Sequence, residues 1–188
     1  MLPSGRYESG DIMGGNMTRT CARISTLACV AGLCGQAFAE PLPTTHYLPL
    51  TVAIEAANAA LEECTKAGHH VSVTVMNANA LVLVQYHHEH ASLHSTFSSH
   101  GKAYTVLSQS YASGETTSTD VVKRVMANPT GVARVSSIPN FVLSPGGTLI
   151  KFGKETVGSI GVGGSSGGEN DQKCANFAVE KIRPHLTP

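Results

Sequence analysis

The sequence predicts an α+β domain, a five-stranded antiparallel sheet flanked by helices. Two long segments place small and apolar residues every three to four positions, which is typical of amphipathic helices. Five short segments are rich in β-branched residues and are joined by turns, which is typical of antiparallel strands. The order helix, two strands, helices, three strands and helix describes one sheet covered by helices, and 188 residues suffice for one domain.

The first half of the domain is expected to hold a helix and a hairpin. Residues 40–49 contain three prolines and predict an extended segment. A helix is expected over residues 50–68, ending at Gly68. Residues 71–76 and 81–86 predict two strands, joined by an Asn-containing turn.

A second long helix is expected over residues 91–110 and a short one over residues 119–126. The first of these carries an apolar stripe, which we expect to face the core: Leu93, Phe97, His100, Tyr104, Leu107 and Tyr111. His100 is therefore expected to be a hydrogen-bonded core residue, with a ligand role as the alternative. The remaining strands are expected at residues 141–144, 148–152 and 156–162, followed by a helix over residues 170–183.

The first 39 residues have the features of a secretory signal peptide. Arg19 and Arg23 precede an uncharged run over residues 24–35, and small residues lead to cleavage after Ala39. The run is too short to span a bilayer of roughly 30 Å as a helix. We therefore expect a periplasmic or secreted protein with no membrane segment after cleavage, and Met17 is an alternative start.

After that cleavage the chain keeps 10 basic and 11 acidic residues among 149, and it has no tryptophan. This charge argues against nucleic acid as a partner. Only two cysteines remain, Cys64 and Cys174. In an oxidising compartment such a pair predicts a disulfide; two buried free thiols are the alternative.

Five of the nine histidines lie between Tyr86 and Lys102. Imidazole is a common ligand for transition metals and for haem iron, so this cluster favours a binding site over a solvated histidine-rich loop. His90 and His94 are four residues apart and predict a chelating pair for a divalent metal, if they share a helical face. No His-Glu-x-x-His motif is present, which disfavours a catalytic zinc. Serine is abundant throughout the chain, so the serines near the histidines give little support for a serine nucleophile.

Several stretches together resemble the GlcG/HbpS family, also known as DUF336 or haem-degrading proteins. They are residues 50–60, 71–77, 102–105, 145–150 and 157–164. The resemblance covers residues 50–188 and implies a profilin-like domain that forms homo-oligomers. It also implies that the first and last helices pack side by side, so that Cys64 and Cys174 form a bridge.

The chain departs from the family where its histidines stand. The family usually has an acidic residue at Asn77 and a glycine near Ala80. It commonly has an arginine and an acidic residue where this chain has His87 and Glu89. The histidine cluster is therefore a variation of this chain, and no haem ligand carries over from the family.

The resemblance implies a haem-binding protein more than an enzyme, with any haem breakdown being slow oxidative chemistry at the bound iron. The expected iron ligands are His87, His88, His90 and His94. Lys102, with Ser95, is an expected propionate partner, and Thr116 and Thr117 are expected near the pocket. The alternative is an oligomeric accessory protein that binds a small molecule or a divalent metal and serves a sensor or catabolic pathway.

Overall fold

The structure, a computed structural model, describes residues 42–188. The expected signal peptide at residues 1–39 and the start at Met17 lie outside these residues. The described helices are α1 (Leu50–Lys66), α2 (Ser95–Ser113), α3 (Ser118–Met126), α4 (Pro129–Ser136) and α5 (Gly168–Lys181), followed by a 3-10 helix (Arg183–His185). The described strands are β1 (Ser72–Asn77), β2 (Val82–His87), β3 (Gly147–Phe152) and β4 (Glu155–Gly163). None of the helices in this part of the chain is long and apolar enough to span a membrane.

The four described strands form one sheet in the order β2-β1-β4-β3, with every neighbouring pair antiparallel. The prediction of an α+β domain is confirmed, but the prediction of five strands is wrong. The expected strand at residues 141–144 is irregular, because the Val142 amide donates to the Thr105 hydroxyl of α2 (2.8 Å) and not to a strand. The profilin-like classification stays a prediction.

Helix α4 was not expected from the sequence, although its start carries a clear signal. Pro129 occupies the first turn, where a missing amide hydrogen has no cost. The side chain of Asn128 accepts hydrogen bonds from the amides of Thr130 (3.0 Å) and Gly131 (3.3 Å). The helix packs on α3 through Val135, which is fully buried.

One face of the sheet packs against α1 and α5. The valines of β1 and the isoleucine and two valines of β4 meet a row of fully buried alanines on α1: Ala53, Ala56, Ala57 and Ala60. Cys64 of α1 and Cys174 of α5 form a disulfide with a Cα–Cα distance of 5.7 Å. The structure thus contains the expected bridge and places the first and last helices side by side.

The other face of the sheet packs against α2 at very short range. A Cβ atom added at Gly161 would lie 2.1 Å from the carbonyl oxygen of Ser99 and 2.5 Å from the amide nitrogen of Ala103. At Gly163 it would lie 2.8 Å from the Ser98 hydroxyl. Only glycine in β4 and small residues on α2 allow this approach.

The expected orientation of the α2 apolar stripe is therefore wrong for most of its members. Leu93 is 91% exposed, Phe97 80% and Tyr111 75%, and only Leu107 of the stripe is buried. His100 is half-buried and stacks on Tyr104, with 6.5 Å between ring centroids, so it is not in the core. Large side chains do not fit against the β4 glycines, and the helix turns them towards solvent.

A buried ion pair joins α2 to α5. The Lys102 ammonium donates to the Asp171 carboxylate at 2.6 Å, and each side chain is 3% exposed. The other carboxylate oxygen of Asp171 accepts a hydrogen bond from the Ser165 amide (3.1 Å). This bond fixes the glycine-rich loop between β4 and α5, residues 164–167. Gly146, at φ +130°, has no side chain, and this leaves space for the side chains of Lys102 and Asp171.

We expect the Cys64–Cys174 bridge to stabilise the domain by about 2 to 4 kcal/mol, because it closes a loop of 110 residues. The test compares residues 40–188 with the Cys64→Ala/Cys174→Ala variant in urea denaturation, with and without reductant. Reductant should destabilise the parent and leave the variant unchanged. Equal stability of parent and variant under oxidising conditions would contradict the prediction.

Breaking the Lys102–Asp171 pair from one side should cost about 3 to 5 kcal/mol, because a buried charge is left unpaired. Lys102→Met and Asp171→Asn are the single variants, and Lys102→Met/Asp171→Asn removes both charges. The double variant should be more stable than either single variant in urea denaturation. Additive losses in the double variant would show that the two charges are not coupled.

Candidate functional site

The ring of His87 is held by hydroxyl groups at the end of β2. His87 lies opposite Ser72 of β1 in the antiparallel register. Its Nδ1 atom lies 2.8 Å from the Ser72 hydroxyl and 3.1 Å from the Thr96 hydroxyl of α2. The side of α2 that approaches the sheet thus orients this imidazole, while His87 itself is exposed.

The hydrogen-bond chain behind His87 assigns the tautomer of the ring. Ser95 donates its hydroxyl hydrogen to the carbonyl of Ser92 at 2.6 Å. In the Ser72–Ser95 contact of 2.7 Å, Ser72 is then the donor. The Ser72 oxygen accepts in turn from the N–H at Nδ1 of His87. In the neutral ring this leaves the lone pair on Nε2, the atom not engaged by the hydroxyls.

Three further imidazoles meet beside β1 and β2. The ring centroids of His70 and His88 are 4.3 Å apart, and that of His90 lies 5.4 Å from His70 and 5.6 Å from His88. His70 was not among the expected site residues, because it stands seventeen residues before His87 in the chain. Pairing of β1 with β2 places His70 near His88, because the His88 amide donates to the carbonyl of Val71, the residue after His70 (3.1 Å).

Glu89 adds a negative charge to this loop. A hydrogen bond from its own backbone, and next the His88 ring, hold the pKa of Glu89 below its ordinary value. Its carboxylate lies 3.4 Å from the Nδ1 atom of His88 and is well exposed. The histidine loop therefore carries an ionised carboxylate at neutral pH.

The expected metal pair does not share a helical face. Helix α2 begins at Ser95, so His90 lies in the preceding turn and His94 directly before the helix. His90 instead contacts His70 and His88. Among residues 42–188, no group of three or more His, Cys, Asp or Glu side chains is arranged to hold a metal ion.

The other expected site residues lie apart from His87. Lys102 is buried in its pair with Asp171. Thr116 and Thr117 lie along β3, where the Leu149 amide donates to the Thr116 carbonyl, at the opposite edge of the sheet from β2. Thr117 also caps α3. Of the expected polar partners, only Ser95 lies near His87. Its hydroxyl contacts that of Ser72, which in turn contacts the His87 ring.

A largely exposed apolar and aromatic surface lies on α2 and directly before it. We call Leu93, Phe97, His100, Tyr104 and Tyr111 the α2 surface. Thr96, which contacts His87, directly precedes the exposed Phe97. Tyr104 packs on Phe141 at a centroid distance of 5.5 Å. Haem requires one axial nitrogen and an apolar surface for the macrocycle. The His87 imidazole and the exposed side chains of the α2 surface are groups of these two kinds.

The fold resembles several solved structures. HbpS is 31% identical, with 74% of this chain and 92% of that chain covered and a TM-score of 0.64. The DUF336 protein ORFY of Klebsiella pneumoniae is 19% identical, with coverage of 77% and 96% and a TM-score of 0.67. A PduOC:heme complex is 21% identical, with coverage of 72% and 95% and a TM-score of 0.64.

The chain matches no curated protein sequence. Residues 48–180 match the family model described as "Haem degrading protein HbpS-like", which spans α1 to the end of α5. The chain therefore belongs to the HbpS-like family, the GlcG/HbpS or DUF336 family.

Proposed function

We propose that this protein binds haem and that His87 supplies the nitrogen ligand to the iron. The observation that carries the proposal is the hydroxyl chain on Nδ1 of His87, which orients the ring and, in its neutral form, favours a lone pair on Nε2. Imidazoles that ligate metals commonly have their second nitrogen fixed in this way. The family description and the haem complex of a protein with this fold support the choice of ligand.

The other expected residues take different places in this proposal. His88 and His90 follow His87 in the loop, and His70 joins them through its ring contacts, whereas His94 lies directly before α2. Lys102 is not assigned to a propionate, because its ammonium is buried and already paired with Asp171. Thr116 and Thr117 lie at the far edge of the sheet, so within one chain they are not assigned to this site.

Bound haem supplies an iron that reacts with oxygen, and we assign no acid or base of the protein to haem degradation. The role of the chain is to orient the His87 ring so that Nε2 is the nitrogen available to the iron. Glu89, held ionised, adds negative charge to the same loop. The proposal is therefore a binding protein, with any breakdown of haem as slow chemistry of the ligand itself.

We propose that the protein acts in the periplasm or outside the cell. The leader pattern in residues 1–39 supports this location. The Cys64–Cys174 disulfide agrees with it, because disulfides persist in oxidising compartments.

We also propose that a second copy of the chain covers the α2 surface, as expected for a homo-oligomer. Leu93, Phe97 and Tyr111 are each at least three-quarters exposed; Phe97 and Tyr111 lie on α2, and Leu93 lies just before it. Contiguous apolar surfaces of this kind mark interaction sites on soluble proteins. Phe97 directly follows Thr96, which contacts His87, so a second copy would also shield the ligand position from water.

Hemin added to residues 40–188 should produce a saturating Soret shift. His87→Ala should abolish that shift, because it removes the iron ligand. Ser72→Ala should weaken hemin binding by roughly tenfold or more, because Nδ1 loses its acceptor. Absorbance titration measures all three.

His94→Ala, in the same loop, is the matched control and should bind hemin like the parent. Circular dichroism checks that each variant is folded. No Soret shift in the parent would contradict haem binding. A shift that survives His87→Ala but is lost in another histidine variant would contradict the ligand assignment only.

Charged substitutions on the α2 surface should dissociate the oligomer. Leu93→Asp/Phe97→Asp is expected to elute as a monomer in light-scattering chromatography, because two carboxylates would be buried in the interface. Leu81→Asp, at an exposed apolar residue in the β1–β2 turn, is the matched control and should keep the parent's mass. A monomeric parent at all concentrations would contradict this proposal.

A further inference from the structure

A separate cavity of about 240 Å³ lies between the segment before α1, the β3–β4 hairpin and the C-terminal 3-10 helix. Its floor is apolar: Leu48, Val52 and Val157 are each less than a tenth exposed. Phe152 and Leu186 contribute further apolar lining. A cavity below the roughly 300 Å³ of a drug-sized pocket suits a ligand of a single ring.

Two histidines line the same cavity, and each is oriented by a carboxylate. The carboxylate of Glu155 accepts the backbone amide of His46 (3.1 Å) and lies 2.6 Å from its Nδ1 atom. These hydrogen bonds hold the pKa of Glu155 below its ordinary value. On the other side, the Nε2 atom of His185 lies 3.1 Å from the carboxylate of Glu55.

The carboxylates decide which ring nitrogens remain free. A carboxylate only accepts hydrogen bonds, so Nδ1 of His46 and Nε2 of His185 carry the hydrogens. In the neutral rings, Nε2 of His46 and Nδ1 of His185 keep their lone pairs. The His46 ring also packs on Phe152 at a centroid distance of 4.4 Å, with the two rings tilted by 39°, which adds an aromatic wall.

We propose that this cavity binds a neutral, single-ring aromatic molecule that carries a hydroxyl group, a phenol. The apolar floor and the Phe152 ring take the aromatic ring, and the hydroxyl donates to the free nitrogen of His46. The two carboxylates behind the imidazoles disfavour an anionic ligand, because like charges repel at this range.

The site is independent of the haem proposal. His46 lies before the segment that matches the family model, and His185 and Leu186 lie after it. Both histidines of the cavity thus lie outside the segment that matches the family model. It contains none of the residues assigned to His87 and its hydroxyl chain.

Amide NMR of residues 40–188 tests the proposal with phenol, toluene and benzoate as probes. Phenol should shift the signals of His46, Phe152 and Leu186, leave those of His87 and Thr96 unchanged, and bind roughly threefold to tenfold more tightly than toluene. Benzoate should bind more weakly than phenol.

His46→Phe is the matched variant, because it keeps a ring against Phe152 and removes the nitrogen acceptor. It should lower phenol affinity to the level of toluene and leave toluene affinity unchanged, which also shows that the cavity is intact. Equal binding of phenol and toluene to the parent, tighter binding of benzoate, or no shifts at the cavity would each overturn the proposal. The proposal would also be overturned if His46→Phe bound phenol as tightly as the parent does.

Discussion

The close approach of α2 to β4 is the constraint on which the rest of the structure depends. Gly161 and Gly163 bring the helix backbone so near the sheet that an added Cβ atom would lie within 2.1 to 2.9 Å of its atoms. Only small side chains fit between the two layers, so serines and threonines of α2 face the strands. The same rotation of the helix points Phe97 and its aromatic neighbours towards solvent. One packing constraint thus produces both the polar interface behind His87 and the apolar surface beside it.

The polar interface between α2 and the sheet is built from hydroxyl groups of β1 that pair with hydroxyl groups of α2. Thr74 contacts Ser99 (2.8 Å) and Ser72 contacts Ser95 (2.7 Å), and each α2 serine donates to a backbone carbonyl. Leaving such a buried hydroxyl without a partner costs about 1 to 3 kcal/mol. The paired hydroxyls therefore disfavour any shift of α2 along β1. The Lys102–Asp171 pair acts in the same way at the glycine-rich loop. The two faces of the sheet therefore differ: α1 and α5 pack through alanine, valine and a disulfide, whereas α2 packs through hydrogen bonds.

Local patterns predicted most of the elements, and the errors have physical causes. The α1 alanine row, the β1–β2 hairpin and the final hairpin have strong periodicity and lie close to where they were expected. Helix α4 was missed although Asn128 and Pro129 form a standard helix start, because its eight residues make only about two turns and include Gly131, a weak helix former. The strand expected at residues 141–144 failed because a side chain of α2, remote in the sequence, accepts the Val142 amide. The apolar stripe of α2 was expected to face the core because apolar periodicity identifies one face of a helix. Periodicity does not show whether large side chains fit between that face and the sheet.

By itself, the sequence determined the α+β class, the family, the paired cysteines and the concentration of imidazoles after β2, because these depend on residue type and spacing. The tertiary structure alone decided which of those imidazoles is oriented. His87 meets Ser72 through strand pairing and Thr96 through helix packing, and neither contact is local. It also decided that Lys102 is paired, that His70 joins His88 and His90, and that His46 and His185 line one cavity. These relations join residues distant in the chain, whose distances follow from packing and not from local periodicity.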